Sequence, residues 1–125
     1  MLVDVALTVW GPSAEVAALR RLPIGIWWRE GDAIPGLSGR GRPENGWAID
    51  SGLPRYRSLE EHIRALRVLV APHQEVVAAA ARRNHGELSV AVHHDERSTE
   101  TKLPPDLVTW LAALGCSISV DLFPL

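Results

Sequence analysis

The sequence predicts an α+β domain: an antiparallel or mixed sheet of about five strands with helices on one face, in the order β-α-β-β-α-β-α-β. Two observations predict the elements: apolar and polar residues alternate with the period of a half-buried strand, and other segments have the apolar spacing of amphipathic helices. A third predicts the layering. Strands buried on both faces are continuously apolar, so alternation indicates a sheet with one uncovered face. The first six elements match the split β-α-β plan of a ferredoxin-like core.

Alternation predicts five strands, over residues 2–10, 24–30, 46–51, 87–94 and 116–123. Since successive side chains of a strand point to opposite faces, the alternation also assigns residues to faces. The residues expected beneath the helices are Val5, Val90 and Val120, together with Ile24, Ile26, Trp28, Trp47 and Ile49, and also Cys116, Ile118 and Leu122. The residues expected on the uncovered face are Thr8, Trp10, Trp27, Arg29, Ser89, His93, Ser117, Ser119, Asp121 and Phe123.

Three helical segments are predicted between these strands. Ser13 is placed to cap a short first helix. Ser58 and Glu61 form a capping box at the start of a long helix, which Pro72 breaks or restarts. A proline pair opens the last helix, whose apolar residues follow helical spacing until Gly115. Residues 31–45, which contain four glycines and two prolines, are predicted to form a loop.

Length and composition limit the classes of protein. With 125 residues, 46% of them hydrophobic, the chain is expected to form a single domain over residues 1–125. A formal net charge of -2 disfavours nucleic acid as a partner, and no apolar run is long enough for a membrane span. Cys116 is the only cysteine, which excludes an internal disulfide. Without a signal peptide, a cytoplasmic location is expected.

Several short motifs occur in one order along the chain. They are Trp28-Arg29 with Gly31-Asp32, Gly39-Arg40-Gly41-Arg42, Asn45-Gly46-Trp47, Ser58-Leu59-Glu60-Glu61-His62, Pro72, Glu87-Leu88-Ser89, Leu111, Leu114-Gly115 and Asp121-Leu122. In this order the chain resembles, over its whole length, a bacterial family known as domain-of-unknown-function family 4279. The resemblance supports the fold and implies no catalytic residues. Any inference about function must therefore come from the individual residues of the chain.

Three groups of residues could form a metal site, a nucleophile or an anion site, but each has a simpler structural interpretation. The cluster His93, His94, Asp95 and Glu96 contains metal-ligand types, but adjacent strand residues point apart, so no metal site is predicted. Cys116 is in phase with the apolar residues of its strand and is expected in the core rather than as a nucleophile. The Gly/Arg loop could cradle an anion, yet it matches no phosphate-binding motif, and no cofactor is predicted.

The leading hypothesis is a non-enzymatic protein-binding module that presents its uncovered sheet face or the neighbouring Gly/Arg loop, with an immunity or antitoxin-like role as one version. Aromatic residues framing small polar ones are typical of docking surfaces. The partner would be an unidentified protein or a second copy of the chain. The predicted binding residues are Trp10, Trp27, Arg29, Asp32, Arg40, Arg42, His93, Asp121 and Phe123. The alternative is a small enzyme or ligand-binding domain with Arg29, Asp32, Arg40 and His93 around a pocket between loop and sheet.

Overall fold

The computed structural model describes residues 1–95 and 101–124 and contains, within them, seven strands and four α-helices. In chain order these are β1 (Leu2–Trp10), α1 (Ala14–Ala18), β2 (Ile26–Trp28), β3 (Ala33–Ile34), β4 (Leu37–Gly41), β5 (Gly46–Asp50), α2 (Leu59–Val70), α3 (Gln74–Arg83), β6 (His85–His94), α4 (Pro105–Leu114) and β7 (Ser117–Pro124). Short 3-10 turns at Leu19–Arg21 and Ala71–His73 follow α1 and α2.

Five strands form one mixed sheet in the order β2-β5-β1-β6-β7. β1 is antiparallel to both β5 and β6, β2 is antiparallel to β5, and β7 runs parallel to β6. The predicted α+β class with about five strands is therefore confirmed. The specific ferredoxin-like order stays a prediction, because the chain also inserts a hairpin and carries a parallel fifth strand.

The core lies between one face of this sheet and the helices. Val3, Val5, Leu7 and Val9 of β1 are buried on this face, which we call the helix face. Their cross-strand partners include Val92, Val90 and Leu88 of β6 and Ile49 and Trp47 of β5. Buried residues of α2, α3 and α4 cover them: Ile63, Leu66, Val70, Val77, Ala80, Ala81, Leu107, Trp110, Leu111 and Leu114. The core is thus one continuous cluster on one side of the sheet.

The boundaries of α2, α3 and α4 follow the residues predicted to begin or end them, whereas the predicted cap of α1 is not formed. Ser58 Oγ accepts a hydrogen bond from the Glu61 backbone N–H at 3.1 Å, as expected for a helix N-cap. Pro72 lies in the 3-10 turn that separates α2 from α3, and Gly115 ends α4 with φ +75°. Ser13 precedes α1 without a side-chain cap; its hydroxyl instead accepts a hydrogen bond from Asn84 Nδ2 at 2.6 Å.

The predicted orientation of β2 is wrong. Trp27 is paired with Trp47 and packs against the core on the helix face, whereas Ile26 and Trp28 lie on the opposite face. The cause is Gly25, whose φ of +78° interrupts the extended chain between Ile24 and Ile26. An alternation counted from Ile24 cannot be carried across that residue.

The predicted burial of β7 is also wrong. Val120 lies on the helix face, level with the buried Val90, yet 53% of it is exposed, and Ile118 and Leu122 are exposed too. The physical reason is that α4, which joins β6 to β7, packs against α3 and α2. The apolar side of this edge strand therefore remains open to solvent.

Part of the predicted loop over residues 31–45 is ordered as a hairpin. β3 and β4 form a separate two-stranded sheet, and Gly31 N–H and Arg42 N–H bond to the carbonyls of Arg42 and Asp32. Gly36, with φ +78°, lies in the turn between the two strands. Glu96, of the cluster that was considered and rejected as a metal site, lies outside the described residues.

Candidate binding surface on the open face of the sheet

The sheet face opposite the helices carries a band of small and polar side chains with aromatic residues at its ends. We call it the open face, because none of the described helices packs on it. The strand register assigns to it Asp4, Ala6, Thr8, Trp10, Ile26, Trp28, Ala48, Asp50, Glu87, Ser89, Ala91, His93, Ser117, Ser119, Asp121 and Phe123. Two hollows of different chemistry lie on this face.

The first hollow, which we call the aromatic hollow, has a volume of about 380 Å³. It is lined by Trp10, Trp28, Arg42 and the segment 43–44, with Thr8 and Ala48 as its floor. Trp10 stacks on His85 with ring centroids 5.3 Å apart. Two tryptophans around a small-residue floor form a site for an apolar side chain.

Trp28 is held on three sides within this hollow. Its Nε1 donates a hydrogen bond to the Glu44 carbonyl at 3.1 Å, and the guanidinium of Arg42 lies 4.2 Å from its ring centroid. The ring also lies against Gly46, where any side chain would overlap the indole. A ring fixed in this way loses little further conformational entropy when a ligand binds.

The second hollow, which we call the acidic hollow, has a volume of about 560 Å³. Asp4, Ala91 and Asp121 lie side by side on β1, β6 and β7, so two carboxylates flank a residue whose side chain is only a methyl group. Asp50 and Arg55 also line the hollow. Three carboxylates against one guanidinium make its walls net negative.

Ion pairs and ring contacts fix one side of the acidic hollow. Arg55 Nε and Nη2 each donate to a carboxylate oxygen of Asp4 at 2.9 Å. His93 Nε2 lies 3.4 Å from Asp4 Oδ2, and its ring stacks on Phe123 with centroids 5.0 Å apart. Among the described residues, no basic side chain pairs with Asp50 or Asp121. Their charge is therefore left to attract a cation.

A buried polar pair that the sequence reasoning missed also lines the acidic hollow. Ser51 Oγ lies 2.5 Å from His62 Nδ1 and accepts a hydrogen bond from the Leu53 N–H at 3.2 Å. His62 is 2% exposed, and its Nε2 has no hydrogen-bond partner among the described residues. A signal existed, since His62 lies three residues after Leu59 and four before Leu66, on the apolar stripe of α2.

The structure places some of the predicted binding residues on the open face and the others away from it. Trp10, His93, Asp121 and Phe123 lie on the open face, and Arg42 joins them above Trp28. The residues placed elsewhere are Trp27, on the helix face, and Arg29, Asp32 and Arg40, beside or within the hairpin.

The pocket proposed between the Gly/Arg loop and the sheet is not formed by the four polar residues expected there. Asp32 accepts a hydrogen bond from the Arg29 N–H at 2.7 Å, which closes a local turn. His93 is level with Leu2, whereas the hairpin follows Trp28, which is level with Trp10. Eight residues of strand separate these levels by about 27 Å. The four side chains therefore cannot contact one small ligand.

Cys116 packs against the edge of the core, as predicted. Burial raises the pKa of its thiol to about 11, which disfavours the nucleophilic thiolate at neutral pH. Within residues 1–95 and 101–124, no three potential metal ligands cluster together. None of the helices in these ranges is long and apolar enough to cross a bilayer.

Comparison with curated proteins and with solved structures gives no match. The family model described as "Domain of unknown function (DUF4279)" matches residues 5–125, which is nearly the whole chain. The resemblance inferred from the short motifs is thereby confirmed, and the chain belongs to the DUF4279 family.

Proposed function

We propose that this protein is a non-catalytic binding module whose open face binds an extended segment of a partner protein. The observation that carries the proposal is the pairing of an aromatic and an acidic hollow on one uncovered sheet face. A cytoplasmic location and an immunity or antitoxin-like role, in which such a face would cover part of a toxin, belong to the same proposal.

The aromatic hollow supports an apolar anchor in the partner. Tryptophan and arginine are enriched at binding hot spots, and here Trp10, Trp28 and Arg42 surround a hollow of side-chain size. The fixed position of Trp28 lowers the entropy cost of binding. An aromatic or large aliphatic side chain fits this chemistry.

The acidic hollow supports a basic group in the same partner segment. Asp50 and Asp121 lack a described basic partner, and the Ala91 methyl leaves room between the carboxylates of Asp4 and Asp121. Lysine and arginine combine a cationic end with an apolar stem, which would lie along Ala6 and Ala91.

The spacing of the two hollows sets the spacing of the two partner residues. Thr8 lines the aromatic hollow and Asp4 the acidic hollow, and four strand residues span about 14 Å. An extended partner segment advances by nearly the same length per residue. The partner segment would thus carry an apolar residue and a lysine or arginine about four positions apart.

The experiment is selection of peptides from a random library on the immobilised protein. We expect enrichment of segments with this apolar and basic spacing, and at least about a tenfold loss of affinity for Trp28→Ala and for Asp121→Asn. The matched control is Val68→Ala, which replaces an exposed residue of α2 on the helix side of the sheet. Selected peptides that bind all four proteins equally would remove the open face as the binding surface.

A catalytic use of the acidic hollow is the second candidate, favoured by Ser51 and His62 at its lining. A serine beside an imidazole is the arrangement of an activated nucleophile. This candidate requires that phenylmethylsulfonyl fluoride label Ser51 in the native protein, and that His62→Leu prevent labelling. A protein that stays unlabelled has no activated serine, and the binding proposal is then unaffected.

A further inference from the structure

We propose that two copies of this chain pair antiparallel through β7 to form one continuous ten-stranded sheet. This inference is independent of what binds the open face. It depends on the edge position of β7, on the exposure of its apolar side and on the symmetry of its sequence.

β7 is an unprotected sheet edge. Among the described strands it is hydrogen-bonded to β6 only, and it spans eight residues, whereas the opposite edge strand, β2, has three. An edge strand leaves a row of backbone N–H and C=O groups available to another strand, and monomeric proteins usually block it with lysine, proline or a bulge. β7 contains no lysine or arginine, its one charged residue is Asp121 on the open face, and its only proline is Pro124 at the end of the strand.

The side chains of β7 on the helix face form an apolar row open to solvent. Ile118, Val120 and Leu122 are 44%, 53% and 66% exposed, although they are level with the buried Leu88, Val90 and Val92 of β6. Exposed rows of this kind on an edge strand mark interaction sites, because burying them removes apolar surface from water.

The sequence of β7 is complementary to itself in one register. With Val120 opposite Val120 of a second copy, Ile118 lies opposite Leu122 on the helix face, and Ser119 lies opposite Asp121 on the open face. The register centred on Asp121 would oppose two carboxylates, which is unfavourable. The register centred on Ser119 would oppose Leu122, the most exposed of the three, to Cys116 instead of Ile118.

The occupant favoured by these observations is therefore a second copy rather than an unrelated strand. An antiparallel pair of identical strands has a two-fold axis perpendicular to the sheet, and such closed dimers are the commonest oligomers. The apolar rows of the two copies would then meet on the helix side. Both open faces would point in the same direction.

The experiment measures the mass of the full chain in solution across a concentration series by sedimentation equilibrium. We expect a dimer for the wild type, and at least about a tenfold higher dissociation constant for Val120→Lys, which places two ammonium groups across the axis. Val120 is half-exposed, so lysine fits the isolated subunit. Ile26→Lys, an exposed change on the opposite edge strand, is the control and should leave the dimer intact.

The register is tested by mixing variants. Val120→Lys and Val120→Glu should each dimerise more weakly than the wild type when alone and should form a one-to-one heterodimer in preference when mixed, because position 120 lies opposite itself. A wild type that stays monomeric at its highest soluble concentration would overturn the proposal. The proposal would also be overturned by a dimer whose dissociation constant Val120→Lys leaves unchanged. A dimer that Ile26→Lys weakens as much as Val120→Lys does would overturn it as well. If the chain does not pair with itself and β7 instead binds a strand of another protein, the proposal is also overturned, because the edge then serves a different partner.

Discussion

The indole of Trp28 lies against the backbone of Gly46, the residue directly opposite it on the neighbouring strand. Glycine is required there because a Cβ atom would overlap the ring. The guanidinium of Arg42 lies over the same ring, 4.2 Å from its centroid.

Gly46→Ala is therefore expected to displace Trp28 and to lower the free energy of unfolding by about 1–3 kcal/mol, as overpacking does. Urea denaturation measures the loss. In a Trp28→Ala background the same change should cost much less, because the ring is gone. An equal loss of unfolding free energy in both backgrounds would show that the cost of a side chain at position 46 does not come from contact with Trp28.

Ser51→Ala is expected to lower the free energy of unfolding by about 1–3 kcal/mol, since it leaves the buried Nδ1 of His62 and the Leu53 N–H without their partner. Combining it with His62→Leu should recover part of the loss, because the buried imidazole is removed as well. Denaturation of the two single variants and the double variant gives the coupling. Strict additivity would contradict a direct interaction between the two side chains.

Cys116 should react slowly with iodoacetamide in the native protein. Because its thiol pKa is raised to about 11, the thiolate fraction at pH 8 is small, and we expect alkylation at least about tenfold slower than in the unfolded chain. The native rate should rise with pH towards about 11. Mass spectrometry follows the reaction, and equal native and unfolded rates would disprove the burial of the thiol.

The ion pair between α2 and α4 gives a pH-dependent prediction. A hydrogen bond from Arg64 at 2.9 Å lowers the pKa of Asp106 below its usual value. A lowered carboxyl pKa contributes stability above the unfolded-state pKa, and that contribution is lost as the pH falls through the folded-state pKa. Asp106→Asn should therefore be slightly less stable than the wild type at pH 7 and indistinguishable in strong acid. The effect should shrink with added salt, because the pair is half-exposed.

Much of the fold could be predicted from local patterns. β1, β6 and α4 have long, uninterrupted periods, so their faces follow directly from the sequence. The ends of α2 followed from the Ser58 capping box and from Pro72, because each acts on its own backbone. These elements contain no residue that interrupts the period.

The errors have tertiary causes. The orientation of Trp27 and Trp28 depends on the register with β5 and on the interruption at Gly25, which a three-residue strand is too short to reveal. The face of Val120 was predicted, but its exposure depends on where α4 packs. The acidic hollow was not predicted, because it brings together Asp4, Asp50 and Asp121 from three distant segments.

The described helices that cover the sheet all lie on one of its faces. Residues on the two faces of the sheet are therefore under different constraints. Substitutions of Val5 or Leu7 act on the core, whereas substitutions of Thr8, Ser89 or Ser119, on the other side, change few contacts that stabilise the fold. A residue of the open face can therefore change without any rebuilding of the core beneath it.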